Sequence, residues 1–137
     1  MKGYLLDTNV WIALLKNDAA VKARVQRVGL DALYLCAPVW SELWFGACKS
    51  QRIAENQARI RELVAFVPSL PFDNHAGEHC GEIRALLARE GRPIGPYDLQ
   101  IAAIARASGL CLVTRNVSEF NRVPDLLIEN WQDEARV

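Results

Sequence analysis

Short apolar runs alternate with longer amphipathic segments along the chain. Four runs have the length of strands, 3–6, 33–37, 110–114 and 126–129. A further run, 67–71, contains two prolines, which predicts an edge strand. Short apolar strands separated by helices are typical of a parallel sheet covered on both faces. We therefore expect an α/β fold, a three-layer α/β/α sandwich around a central, mainly parallel sheet.

Helices are predicted between these strands by apolar residues at intervals of three and four. The segment that follows Pro96 is rich in alanine and apolar on all sides, so we expect it to be a buried helix. The segment from Ile53 to Phe66 is expected to turn Ile53 and Ile60 inward. The predicted helices cover 9–16, 18–28, 38–49, 53–66, 76–90 and 96–108.

Acidic and amide side chains come from several distant segments to one edge of the predicted sheet. In right-handed strand–helix–strand units, strands end and helices begin at the same edge, where open α/β sheets bind ligands. Asp7 ends the first strand, and Asp98 is the third residue of the helix that begins at Pro96. The others expected there are Glu42, in the first half of the helix from Pro38, and Asn116 and Glu119, which follow the strand ending at Thr114.

Such a group of carboxylates would repel one another unless a cation lies among them. Oxygen ligands without histidine or thiolate favour Mg²⁺ or Mn²⁺ over Zn²⁺. Taken singly, Asp7 and Asp98 are equally typical of helix caps and first turns. Glu42 is less easily explained in that way, because it lies within the apolar run from Trp40 to Phe45. Their joint placement predicts a metal site.

Composition is consistent with one globular domain spanning residues 1–137. The 16 Lys and Arg residues balance the 16 Asp and Glu residues, which argues against a broadly basic surface that coats nucleic acid. No apolar run reaches the roughly 20 residues of a membrane span, and the N-terminus lacks the layout of a signal peptide, so we expect a cytoplasmic protein. The scattered cysteines are expected to be reduced, with Cys36, Cys48 and Cys111 buried.

Several short motifs, in order along the chain, resemble those of the PIN-domain ribonucleases. The resemblance is greatest to the VapC toxins of bacterial toxin–antitoxin modules. The motifs are Leu5-Leu6-Asp7-Thr8-Asn9-Val10, Ser41-Glu42-Leu43-Trp44-Phe45-Gly46-Ala47, Gly95-Pro96-Tyr97-Asp98, and Leu112-Val113-Thr114-Arg115-Asn116-Val117-Ser118-Glu119-Phe120.

This resemblance implies a type II toxin, an endoribonuclease that uses Mg²⁺ or Mn²⁺, cuts a structured RNA such as tRNA or rRNA, and is blocked by a VapB-type antitoxin. It also implies a homodimer. Asp7 and Asp98 match the family's metal-binding acids, Glu42 matches a metal ligand or a base that positions a water, and Glu119 matches the fourth catalytic acid. Many PIN domains have Asp where this chain has Asn116, so Asn116, Glu119 or both complete the site. The resemblance gives supporting roles to Asn9 and Thr114, and Arg115 is a candidate for binding RNA phosphates.

Other functions were weighed against this one. A phosphotransferase of the haloacid-dehalogenase kind needs a second Asp two residues after the first, where this chain has Asn9. A PIN-like module that binds RNA or protein without cutting remains the alternative, because Asn116 departs from the usual acid. The retained Asp7, Glu42 and Asp98 argue against it, since a binding module has no need of acids that repel one another.

Overall fold

A computed structural model describes residues 3–132 of the chain. Within that range it contains five strands, β1 (Tyr4–Leu6), β2 (Leu33–Cys36), β3 (Ser69–Leu70), β4 (Cys111–Val113) and β5 (Ile128–Glu129). It also contains seven α-helices, α1 (Thr8–Leu15), α2 (Ala19–Val28), α3 (Ala37–Cys48), α4 (Ile53–Leu63), α5 (Asn74–Arg89), α6 (Pro96–Ala107) and α7 (Val117–Phe120).

The strands form one sheet in the order β3-β2-β1-β4-β5, and every pairing is parallel. The chain moves outward from β1 to β2 and β3, then returns across the sheet to β4 on the other side of β1. The order therefore reverses between β1 and β4. Such a reversal opens a crevice at the carboxyl ends of the two strands, and this is where open α/β sheets bind ligands.

The predicted α/β sandwich is confirmed, as is the edge position of the proline-flanked strand, β3. The sheet is wholly parallel, which is more regular than expected. The helix predicted over 53–66 ends at Leu63, and the expectation that Ile53 turns inward is wrong, since 46% of its surface is exposed. α4 packs on α3 in the outer layer, so within α4 only Ile60 is buried.

Helix α6 and the two central strands form the middle of the core. Ile101 and the residues up to Ala105 are almost wholly buried, as are Leu5 in β1 and Leu112 in β4. Because the middle of α6, from Ile101 to Ala105, is wholly apolar, it can be enclosed between the sheet and α5 without burying an unpaired polar group. This enclosure fixes the start of α6, and with it Asp98, at the carboxyl edge of the sheet.

The chain after β5 returns to the sheet through Trp131, which is fully buried. The Trp131 ring lies 5.3 Å from that of Tyr4, and its indole N–H donates to Glu129 at 2.9 Å. Glu129 also accepts a 2.9 Å hydrogen bond from Arg24 in α2. These contacts anchor the segment after β5 to both β1 and α2.

The cysteines are free thiols, as expected, but their burial differs from the prediction in one case. Cys36 and Cys111 are buried, and burial raises the pKa of each thiol to about 12. Cys48 is exposed, because it is the last residue of α3 and faces away from the core. Within residues 3–132, no helix is long and apolar enough to cross a membrane.

Candidate active site

Asp7 ends β1 and begins α1, and both roles follow from its backbone. Its N–H donates to the carbonyl of Val113 at 2.9 Å, which continues the pairing of β1 with β4. Its carbonyl accepts the first hydrogen bonds of α1, and its carboxylate caps the helix by accepting from the Thr8 N–H at 2.8 Å. The side chain is therefore held at the reversal point of the sheet, with one oxygen, Oδ1, already engaged.

Thr114 holds the second oxygen of Asp7 from the neighbouring strand. Its hydroxyl donates to Asp7 Oδ2 at 2.8 Å, and it accepts from the backbone N–H of Asn116 at 3.0 Å. Thr114 is wholly buried and Asp7 is 7% exposed. Burial raises the pKa of Asp7, although the bonds from Thr114 and Thr8 lower it in part. The bond joins the ends of β1 and β4 directly above the crevice.

Asp98 and Glu119 form a second pair on the other side of the crevice. Burial, the hydrogen bond with Glu119, and the charges of Glu119, Asp7 and Glu42 raise the pKa of Asp98 to about 7. The pKa of Glu119 is lowered, first because Asn116 Nδ2 donates to its Oε2 at 2.9 Å. Of the two carboxyl groups, Asp98 therefore keeps its proton to the higher pH, and Glu119 ionises more readily. The structure thus brings both Asn116 and Glu119 to the site, with the amide supporting the carboxylate.

The loop before α6 is tied to the segment after β4 by two further contacts. The backbone of Gly95 hydrogen-bonds to the Glu119 carboxylate and helps to keep its pKa low. Arg122 donates from Nη1 to the carbonyl of Pro93 at 3.0 Å. Sequence reasoning did not foresee this bond. Both contacts hold Asp98 and Glu119 together.

Glu42 reaches the crevice from the surface of α3. The residue is exposed, yet its pKa is raised, by partial desolvation of the carboxylate and by the charge of Asp7. The Thr8 hydroxyl lies close enough to lower that pKa. The same hydroxyl is buried. Thr8, which sequence reasoning missed, therefore places a buried hydroxyl beside the Glu42 carboxylate.

Asn9 and Arg115 lie to one side of the acids. Both side chains are exposed, and both line a cavity beside α1 rather than the crevice itself. The two oxygens of Asp7 are engaged by Thr8 and Thr114, and no hydrogen bond joins Asn9 to Asp7 in the described structure. A supporting role for Asn9 therefore stays a prediction.

The acids suit a hard divalent cation without forming a closed cage for one. Three of the four carboxylates have raised pKa values, and each feels the negative charge of another member of the group. A cation among them would relieve this repulsion. Within residues 3–132, however, no three metal-ligating side chains converge closely enough to hold an ion by themselves. Mg²⁺ suits such an open site, because it usually keeps several waters and takes one or two carboxylates together with substrate phosphates.

Comparison with known proteins identifies the family. The model of the PIN domain matches residues 4–126. A tRNA(fMet)-specific endonuclease VapC from Shigella flexneri is 40% identical over 131 residues, which cover 96% of this chain and 99% of the relative. The chain belongs to the VapC ribonucleases of the PIN-domain family. The resemblance seen in the sequence motifs is thus confirmed, and with it a nuclease activity, which in PIN domains generally depends on a divalent metal.

Solved structures of VapC-family complexes share the fold of this VapC-family chain. DNA-bound VapBC from Salmonella typhimurium superposes with a TM-score of 0.88 at 35% identity, covering 96% of this chain and 99% of that one. VapBC2 from Rickettsia felis, bound to a DNA fragment from their promoter, gives a TM-score of 0.87 at 31% identity, with 93% and 98% covered. The likeness therefore extends over nearly the whole of each chain.

Proposed function

We propose that this protein is the toxin of a type II toxin–antitoxin module, a metal-dependent endoribonuclease that cuts tRNA. The observation that carries the proposal is that Asp7, Glu42, Asp98 and Glu119 surround one crevice at the reversal point of a parallel sheet, near enough to feel one another's charge. Burial, the hydrogen bond with Glu119 and the charges of the other acids together raise the pKa of Asp98 to about 7. A fold that only bound RNA would gain nothing from that cost in stability.

Asp7, Asp98 and Glu42 are the residues that would hold Mg²⁺ or Mn²⁺. When bound, such an ion lowers the pKa of a water and neutralises charge on the phosphodiester. Thr114 keeps one oxygen of Asp7 turned toward β4, and Asp98 would hold the ion as an ionised carboxylate. Glu119, kept ionised by Asn116, acts through water. The products of hydrolysis are a 3′-hydroxyl and a 5′-phosphate.

The relatives support the substrate class and the partner that we propose. The Shigella flexneri relative is named as specific for tRNA(fMet), which makes tRNA the first substrate to test. The neighbouring structures are VapBC assemblies, and we propose that a VapB-type antitoxin neutralises this chain in the same way. We further propose a single domain over residues 1–137, a homodimer and a cytoplasmic location.

Incubation of total cellular RNA with the purified protein tests this proposal. Discrete cuts are expected in the tRNA fraction with Mg²⁺ or Mn²⁺, and none with EDTA. The new ends should accept ligation through a 5′-phosphate. Binding of tRNA without any cutting, in both metals, would instead favour the alternative of a catalytically weak PIN-like binding module.

A further inference from the structure

A polar cavity of about 400 Å³ opens beside the acids. One wall is a single face of α1, because Asn9, Ala13 and Lys16 follow one another at intervals of four and three. The opposite wall contains Arg115 and Gln132. Neither the family's acidic set nor the tie between the loop before α6 and α7 involves this cavity.

The cavity adjoins the crevice through the chain itself. Arg115 directly follows Thr114, whose hydroxyl is bonded to Asp7. Asn9 lies two residues after Asp7 on the helix that Asp7 caps. A polyanion that reached the acids from this side would therefore meet the cavity first.

The charges in the cavity are opposite to those in the crevice. Lys16 and Arg115 are both exposed cations. Asp18 is the one carboxylate among the described lining residues, and it is engaged as the cap of α2, where it accepts from the Val21 N–H at 3.1 Å. Among the described lining residues there are therefore two cations and one carboxylate, so their net charge is positive.

An RNA substrate requires a cationic site close to the acids. The chain has no net charge, and its catalytic crevice carries several carboxylates that repel phosphates. The phosphates next to the cut must therefore be held by local cations. Arginine, lysine and side-chain amides are the groups that most often bind the nucleic-acid backbone, and this cavity provides all three in Arg115, Lys16, Asn9 and Gln132.

We propose that this cavity binds a backbone phosphate of the RNA, beside the phosphodiester that is cut. Arg115 and Lys16 contact the phosphate oxygens, and the amides of Asn9 and Gln132 bind the same backbone unit. This inference rests on the proposed function, because it assigns part of the substrate to the same active site. It predicts that tRNA affinity depends on both cations, independently of the metal.

The test measures binding of fluorescently labelled bulk tRNA in EDTA, where no cutting occurs. Dissociation constants of the wild type, Arg115→Gln and Lys16→Gln are compared between about 50 and 200 mM KCl. Each lost phosphate contact lowers the slope of log Kd against log salt by about 0.7 to 0.9. Arg27→Gln is the matched control, because Arg27 is exposed in the last turn of α2, near the opposite edge of the sheet.

We expect both cavity variants to bind several-fold more weakly and with the smaller salt slope, while Arg27→Gln keeps the wild-type slope. In metal, their KM for tRNA should rise more than kcat falls. Wild-type slopes and affinities in both variants, in a protein that cuts tRNA, would overturn the cavity assignment alone. A wild type that neither binds nor cuts tRNA would overturn the proposed function, and the cavity assignment with it.

Discussion

Replacing Asp98 by asparagine should stabilise the metal-free protein at pH 8. The substitution removes a charge that is repelled by Glu119, Asp7 and Glu42. It also keeps the shape of the side chain, and the new amide can still donate to Glu119. A catalytic acid whose removal increases stability is the behaviour expected of a site that is complete only with a cation.

The size of the effect follows from the raised pKa of Asp98. A rise from 3.8 to about 7 corresponds to roughly 4 kcal/mol if it falls wholly on this residue. Asp98 is only half-buried, so solvent screening reduces that figure to about 1 to 2 kcal/mol. Loss of a negative charge from the first turn of α6 costs about 0.5 kcal/mol. The net gain is about 1 kcal/mol, or roughly 3 to 4 °C in Tm for a chain of this size.

The Asp98 carboxyl also sets the direction in which the free energy of unfolding changes with pH. Because the folded pKa lies above the unfolded one, the folded protein binds more protons between about pH 4 and pH 7. The contribution of Asp98 therefore becomes more unfavourable as the pH rises through this range, and is constant above it. The advantage of Asp98→Asn should fall to less than half at pH 5 and disappear near pH 4.

Thermal unfolding at pH 8 and pH 5, with EDTA and with Mg²⁺, measures these effects. Mg²⁺ should stabilise the wild type and leave Asp98→Asn unchanged, because a ligand stabilises only the form that binds it. Asp31→Asn is the control, since Asp31 is exposed in the turn before β2, far from the carboxyl edge. An Asp98→Asn protein that is less stable than the wild type at pH 8 in EDTA would refute the reasoning.

Two other substitutions distinguish effects on the stability of the protein from effects on metal binding and RNA cleavage. Thr114→Val removes a buried 2.8 Å hydrogen bond to Asp7 and should lower the free energy of unfolding by about 1 to 3 kcal/mol. It should also weaken Mg²⁺ binding. An unchanged Mg²⁺ affinity, measured by calorimetry, would contradict the role given to Thr114. Gly46→Ala should stabilise α3 by up to about 1 kcal/mol, because nothing lies within 4 Å of the added methyl group, and denaturant unfolding would show the gain. A loss of tRNA cleavage in that more stable variant would indicate that the substrate approaches Gly46 closely, while normal cleavage would exclude it.

The positions of the acids were predictable because they depend on topology. Asp7 follows an apolar strand and Asp98 starts an apolar helix, and the handedness of parallel units brings such ends to one edge of the sheet. The reversal between β1 and β4 then fixes Thr114 beside Asp7. Local periodicity and one rule of connection were sufficient for this part of the site.

The finer contacts were not predictable, because they join segments whose spacing is set by packing. The pairing of Asp98 with Glu119 depends on how the loop at Gly95 meets α7. The hydrogen bond from Arg122 to the carbonyl of Pro93 holds the loop against the segment after β4. No sequence pattern in either segment predicts this bond. The exposure of Cys48 similarly depends on which side of α3 is covered, and apolar neighbours in sequence do not determine that.

Cleavage of tRNA by matched aspartate variants tests the central claim most directly. End-labelled bulk tRNA is incubated in Mg²⁺ with the wild type, Asp7→Asn and Asp31→Asn, each shown to be folded by its melting transition. The account predicts discrete cuts by the wild type and Asp31→Asn, and a loss of about a hundredfold or more in Asp7→Asn, since losing a metal ligand removes several kcal/mol of transition-state stabilisation. Equal cutting by Asp7→Asn, or cutting by the wild type that persists in EDTA, would contradict it.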